Sequence, residues 1–544
     1  MSVYLLVKRI LETIMRMRFL GLKLLMSLIA LGSCIGALAQ EPQRGGILQF
    51  GIAAEPPTYD CHATGTFAVL QRVAPHYSTL LKYEQFKYPN IVGDLAESWT
   101  VSPDKMTYTF KLRPNVKFHD GSTLTSEDVK ASYDRIMSPP PGIVSDRGGL
   151  FRNVAKVETP DARTIVFRMK EVDLSIMESG FASPWNCIYS AAKLRADPNF
   201  PARNVMGTGP FKFVEHVAGS HWVGVRFDDY FQKGKPYLDG FRAITLTTSA
   251  MLNAMEGEHI LAEFRGFSPP ERDRIVRALG DKVKVYESDW LFQMLISFNT
   301  KKKPFDDERV RRALSLAIDR WGGSNSLRKV SSLGPVGGLL MPSGKWSASE
   351  AEMVKWPGYG KNIEANRAEA RRLLKEAGAE NLSLTLTNRN IAPFVASGIY
   401  VIDQWRHIGV KAQHKQLETA AWFATRASGD FEALFDSFVD LGTDPSTGLE
   451  KYVSGRKGNQ VITNAEDPKL DELYDEQART IDPAKRRRLV REFETRAMEK
   501  AYAVPFLHMS RYVVLSSRVR GWTISPSQMI YQDLGDVWLA PAKK

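Results

Sequence analysis

Residues 117–136 read KFHDGSTLTSEDVKASYDRI. Asp120-Gly121 is a turn signal, because Asp bonds its own nearby backbone and Gly accepts positive φ. Thr125, with Asp128 three residues later in the Glu/Gln slot, fits a capping box. Val129, Tyr133 and Ile136 then recur at i, i+4 and i+7, which is helical spacing. The stretch predicts strand, turn and capped helix. His119 beside Asp120 and several hydroxyls also looks reactive. A catalytic group needs nucleophile, base and orienting partner in hydrogen-bond reach, and adjacency in sequence does not supply that geometry. The stretch is therefore read as scaffold.

Outward from it the chain mixes strands and helices. GGILQFGIA (45–53), MTYTFKL (106–112) and RTIVFRM (163–169) read as strands, rich in β-branched and aromatic residues. Residues 207–216 read as a turn entering a strand, and 221–246 as two strands with a loop between. Helices are expected at 305–320, capped by Asp306, at 366–379, ending at Gly378, and at 468–480. Another is expected at 482–502, with Asp482 as cap and Pro483 in the first turn. The basic triplet Arg486–Arg488 is placed on its solvated side. EPPTYD (55–60) resists both helix and central strand.

The 544 residues allow two to four lobes, and 43% hydrophobic content allows a large core. Arg16 and Arg18 precede LLMSLIALGSCIGALA (24–39), a basic flank and short apolar run ending in small residues. This pattern predicts a secretory signal peptide over 1–39, cleaved after Ala39. The run is short for a membrane span. LGSC (31–34) offers a second reading, lipid anchoring through Cys34, but apolar residues follow where a lipoprotein turns polar. The formal net charge is +12, of which +4 lies in the leader. No basic stripe with interleaved aromatics marks a nucleic-acid face. Two cysteines remain after cleavage, Cys61 and Cys187. Export permits a disulfide between them, and two separate buried thiols is the other reading.

Walker, HExxH, CxxC and G-x-S-x-G patterns are missing, and the nine histidines have no tight metal spacing. No cofactor or metal is expected.

Residues 93–136 closely resemble the signature region of the family 5 extracellular solute-binding proteins, the oligopeptide-, dipeptide- and nickel-binding components of ABC importers. MGTGPFKFVEH (206–216), DDYFQKGKPYLDGF (228–241), FNTKKKPFDDERVRRALSLAIDR (298–320) and residues 467–494 resemble further family segments in the same order. The resemblance covers about 45–540. It implies an α/β, two-lobed periplasmic binding protein of class II with an extra inserted subdomain and a hinged cleft. The first lobe is then 45–90, 206–297 and 505–544, the inserted subdomain 91–205 and the second lobe 298–504. Crossings near Phe298 and Pro505 would form the hinge.

It further implies a periplasmic, non-enzymatic receptor that delivers a small solute or short peptide to an ABC permease and ATPase complex in the inner membrane, and a monomer is expected. A metal-chelate, haem or sugar-derivative carrier of the same family is the alternative, and a secreted hydrolase the rival from another class. Residues 417–445 correspond to the family's ligand-contact segment, with Trp422 in the cleft-tryptophan position and Arg426 in that of its arginine. Where peptide binders grip the ligand amine with an aspartate, this chain has Leu441; Asp440 lies one residue away. Asp440 is expected to meet an amine and Asp444 to start a turn. Tyr59, Cys61 and His62 after the first strand, Trp185 and Asn186, and Trp290 complete the expected solute-binding residues, although aromatics are as often core.

Overall fold

The computed structural model describes residues 41–542, except 144, 343, 440, 441 and 455–462. The leader, Cys34 and Asp440 lie outside the described residues.

The first lobe is built on a four-stranded sheet. Strand Ile47–Ile52 runs parallel to Gly240–Thr245, and His221–Arg226 and Phe211–Val217 follow antiparallel. Residues 261–262 run alongside the first strand: Leu261 N donates to Gln49 O, and Gly51 N to Ala262 O. A second, antiparallel four-stranded sheet carries Ala96–Val101, Thr107–Leu112, Thr164–Met169 and Val154–Asp161. Its inner face shares one hydrophobic core with the first sheet, from Leu48 and Phe50 through Phe110, Phe167 and Phe181 to Trp222 and Val537.

The helix Ser126–Met137 has the expected capping box, with Thr125 N donating to Asp128 Oδ2 at 2.8 Å. Val129, Tyr133 and Ile136 are buried on its inner side. His119 is scaffold. Gly207 N donates to its Nδ1 at 3.4 Å, so Nε2 carries the proton and donates to Gly209 O at 3.0 Å. Burial lowers its pKa to about 4, which matches a neutral ring.

The second lobe is built on a five-stranded sheet in the order Lys411–Leu417, Ser383–Arg389, Ala433–Val439, Val283–Phe298, Ala503–Ser516. The first three strands are parallel, and the last two are antiparallel to their neighbours. The long strands 283–298 and 503–516 serve both lobes. Residues 292–298 pair with 433–439, while Leu515 bridges to Ala262 of the first lobe. The register shifts twice, between Trp290 and Gln293 and between Gln293 and Leu295, opposite Met509, His508 and Pro505. The change-over therefore spans 290–295, with Pro505 at its edge and Phe298 inside the five-stranded sheet.

Two local expectations need correction. Asp307, not Asp306, caps the helix Glu308–Leu316, accepting from Arg309 N. Arg486 is buried, unlike the exposed Arg487 and Arg488, and pairs with buried Asp444 at 2.8 Å.

Candidate functional site

The residues expected to meet a solute fall into two groups. In the first, Cys61 and Cys187 form a disulfide with Cα atoms 6.1 Å apart. Asp60 accepts from His62 N at 2.9 Å and from Tyr189 Oη at 3.0 Å, and pairs with Arg135. His62 donates through Nε2 to Cys187 O at 2.9 Å, while Arg135 donates to its Nδ1 at 3.2 Å. Burial lowers the His62 pKa to about 4. Trp185 is buried under the Arg147 guanidinium, 5.0 Å from its ring centroid. Asn186 Nδ2 donates to Gly180 O, and its Oδ1 has no hydrogen-bond partner among the described residues. Cys61 and His62 are thus bonded to protein groups and knit the first-strand loop to residues 185–189, whereas Asn186 keeps one buried acceptor open among the described residues.

Tyr59 is half-buried. Its hydroxyl lies 2.7 Å from His216 Nδ1, and His216 Nε2 lies 2.9 Å from Glu55. The Tyr–His–Glu chain looks like a relay, but burial, followed by the charge of Glu55, raises the Tyr59 pKa, the opposite of an activated nucleophile. Trp290 is buried against Phe292 at the change-over, and its Nε1 has no acceptor among the described residues.

The second group gathers where strand 383–389 ends. Arg389 closes that strand. Its guanidinium lies 5.3, 5.6 and 5.4 Å from the ring centroids of Phe394, Trp422 and Phe423. Arg389 Nη2 donates to Thr419 Oγ1 at 3.2 Å, while its buried Nε has no partner among the described residues. Trp422 is buried at 2% exposure, and its indole N–H also lacks an acceptor there. Arg426 donates to Asp436 Oδ2 at 2.9 Å. Arg426 is therefore paired with a buried internal carboxylate. Burial raises the Asp436 pKa, and Arg426 opposes the shift.

Arg265 lies in the first-lobe loop that follows residues 261–262. Glu263 accepts from Arg265 N and Gly266 N, fixing the loop, and Phe267 bridges to Tyr512. The Arg265 side chain is exposed and makes no hydrogen bond or ion pair among the described residues. Burial, then the charge of Arg265, lowers the Arg389 pKa.

A clasp joins the inserted subdomain to the second lobe. Glu178 accepts from Thr443 N at 2.6 Å and Asp444 N at 3.0 Å. Arg152 pairs with Glu450 at 3.2 Å, and Leu174 N donates to Ala478 O. Asp444 caps the helix Pro445–Leu449, as the turn reading expected. Away from the cleft, a cavity of about 570 Å³ lies against Lys82, Asp94, Arg113 and Asp533. No residue between 298 and 504 lines it, and Lys82 already bridges Asp94 at 3.8 Å and Asp533 at 2.8 Å.

Residues 90–460 match the family model for bacterial extracellular solute-binding proteins, family 5. The chain belongs to this family. Solute binding for an ABC importer is its function, as the quoted segments implied. The glutathione-binding protein GsiB of Escherichia coli K12 is 29% identical over 464 residues, spanning 81% of this chain and 85% of its own. The periplasmic binding protein AgaA of A. tumefaciens R10, solved with agropinic acid, is 27% identical with a TM-score of 0.78, covering 92% of this chain and 99% of AgaA. Helicobacter pylori DppA, solved with the peptide STSA, has a TM-score of 0.79 at 21% identity, covering 91% and 98%. Family 5 proteins work outside the cytoplasm, and among the described residues no helix is long and apolar enough to cross a membrane.

Sequence reasoning missed Glu178, Arg265 and Arg389. Arg389 carried a usable signal: ligands of α/β sheets gather at the carboxyl ends of parallel strands, and it is the last residue of one. Arg265 and Glu178 sit in irregular segments with no such signal.

Proposed function

We propose that the exported chain is a monomeric, non-enzymatic periplasmic receptor. It captures a small peptide-like solute between its lobes and presents it to the ABC permease and ATPase complex. The carrying observation is the pair of continuous strands, 283–298 and 503–516, that serve both lobes and shift register at 290–295. Two strands with two adjacent register shifts form a hinge, and closure about it buries whatever lies between the lobes. The lobe division from sequence is retained, with the hinge at 290–295 and 505–509. Glutathione for GsiB and agropinic acid for AgaA are small, polar, carboxylate-bearing solutes, which favours the same size and class here over haem or a metal chelate. Tyr59, Trp290, Trp422 and Asp440 remain proposed cleft contacts.

The test is small-angle scattering on mature protein freed of carried solute by unfolding and refolding, then reloaded with the solute that native mass spectrometry identifies. Compaction on loading is expected. Saturating binding with unchanged dimensions, or turnover of the solute, overturns the reading.

A further inference from the structure

The inserted subdomain and the second lobe meet without a common core. Among the described residues, no side chain from 91–205 belongs to the hydrophobic cores of the second lobe, and of 298–504 only Val439 packs against the core of the first. What joins the two bodies is polar. Glu178 Oε2 accepts from Thr443 N at 2.6 Å and Asp444 N at 3.0 Å. Arg152 pairs with Glu450 at 3.2 Å and donates to Tyr474 Oη at 3.3 Å. Leu174 N donates to Ala478 O at 3.1 Å, and the exposed pair Glu171 and Arg479 comes within 3.8 Å. Polar contacts between separate cores mark bodies that part and rejoin, since little apolar surface is uncovered when they separate.

Glu178 and Arg152 take hold of one firm piece of the second lobe. Helix Pro445–Leu449, capped by Asp444, continues into the helical turn Glu450–Tyr452. Arg486 anchors Asp444 at 2.8 Å, and Gln477 Nε2 donates to Ser446 Oγ at 3.0 Å. Glu178 grips the start of this piece and Arg152 its end. From the same end, Tyr452 Oη donates to Gln293 Oε1 at 2.7 Å, and Gln293 Nε2 donates to Gly338 O at 2.6 Å, both bonds buried. Gln293 stands between the two register shifts of the hinge. The inserted subdomain is thus bonded to a piece that reaches the hinge directly. Gly442 is fitted to the same contact. A Cβ there would collide with Glu178 Oε2 and Tyr83 Oη, so the carboxylate reaches the 443–444 amides only over a glycine.

We propose that the inserted subdomain is a latch: on closure Glu178, supported by Arg152, seizes segment 443–452 and holds the hinge at 290–295 shut through protein contacts alone. This rests on the receptor reading above and adds what retains the closed form. Part of the free energy of closure then comes from these contacts and is the same for every solute. Glu178 carries the larger share, because its carboxylate accepts from two backbone N–H groups, whereas the Arg152–Glu450 pair is part-exposed and screened.

The test uses the mature protein freed of solute by unfolding and refolding. Spin labels are placed on Ala155→Cys of the subdomain and Glu472→Cys of the second lobe, both exposed positions, while Cys61 and Cys187 are paired. Pulsed electron paramagnetic resonance reads the distance between the labels. A short-distance, clasped population beside a longer, open one is expected. Glu178→Ala and Gly442→Ala should each lower the clasped-to-open ratio about tenfold, near the lower end for hydrogen bonds to a charged group. Arg152→Ala should lower it about two- to fivefold. Glu178→Gln keeps an acceptor and should keep the clasped population. Gly442→Ala acts from the opposite body, so it reads the contact even where Glu178→Ala disturbs the subdomain's own packing. A solute-free protein with no clasped population, or a ratio unmoved by both alanine variants, overturns the latch. Equal loss in Glu178→Gln and Glu178→Ala overturns it too, because the hydrogen bonds would then not carry the effect. If loading in the scattering experiment leaves the dimensions unchanged while the ratio still follows Glu178, the receptor reading falls and the latch stands.

Discussion

The 59–62/185–189 region and the 389–436 region hold similar side chains: a tryptophan, an arginine and a buried aspartate each. They differ in what holds them together. Around Asp60, the ring nitrogens of His62 and the hydroxyl of Tyr189 find protein partners and a disulfide closes the cluster, although Arg135 Nε, Arg147 Nε and Asn186 Oδ1 have none among the described residues. Around Arg389, three aromatic rings pack against the guanidinium, and Arg389 Nε, Trp422 Nε1 and Asn388 Oδ1 are without partners among the described residues. The first cluster joins distant segments by covalent and ionic bonds, and the second is held by packing on aromatic faces.

The comparison breaks most sharply through the disulfide. Removing it in Cys61→Ala/Cys187→Ala releases a loop spanning 126 residues. The chain-entropy model assigns this about 4–5 kcal/mol, read as a lower denaturation midpoint. Solute affinity of the folded fraction should not change, and unreduced protein should show no free thiol at Cys61 or Cys187. Next, Asp60→Ala strands Arg135 and should destabilise by about 3–5 kcal/mol in chemical denaturation, again without touching affinity. A shift in affinity from either variant would place the first region in the cleft after all.

Arg389→Gln should cost about 1–2 kcal/mol in chemical denaturation, because it removes one neutral hydrogen bond and the contact with three aromatic rings.

The smallest effect concerns the Glu178 clasp. Burial, then the charge of Asp444, raises the Glu178 pKa. A raised carboxyl favours the closed, clasped form below the ordinary carboxylate value of about 4.5, and that contribution is lost as pH rises through the shifted value. Tyr83, Asp444 and Arg486 are the titratable neighbours that share this corner. Solute affinity should therefore rise slightly on acidification. Glu178→Gln should flatten that slope and hold its acid-side value at neutral pH. An unaltered slope in the variant would remove Glu178 from closure.

Much of the fold was legible from residues 117–136 outward, because its signals are local. Thr125 and Asp128 cap within one turn, Asp482 and Pro483 start a helix, and Gly378 ends one at φ +67°. Alternating strands such as Thr107–Leu112 announce themselves through a period of two. Trp422 and Arg426 were reached only through family resemblance. The Arg426 partner, Asp436, lies on the strand that follows its helix, and no periodicity joins the two. Arg486 was misjudged for the same reason, since its burial depends on Asp444, 42 positions away.

The sequence alone determined the secondary elements, the family and hence the two-lobed receptor, because caps, turns and hydrophobic periods act over a few residues. Tertiary structure alone decided that Cys61 and Cys187 pair, that His62 and Arg135 meet at Asp60, and that strands 283–298 and 503–516 shift register between 290 and 295. Charge and hydrogen-bond balance are sums over neighbours in space, and these neighbours lie far apart along the chain.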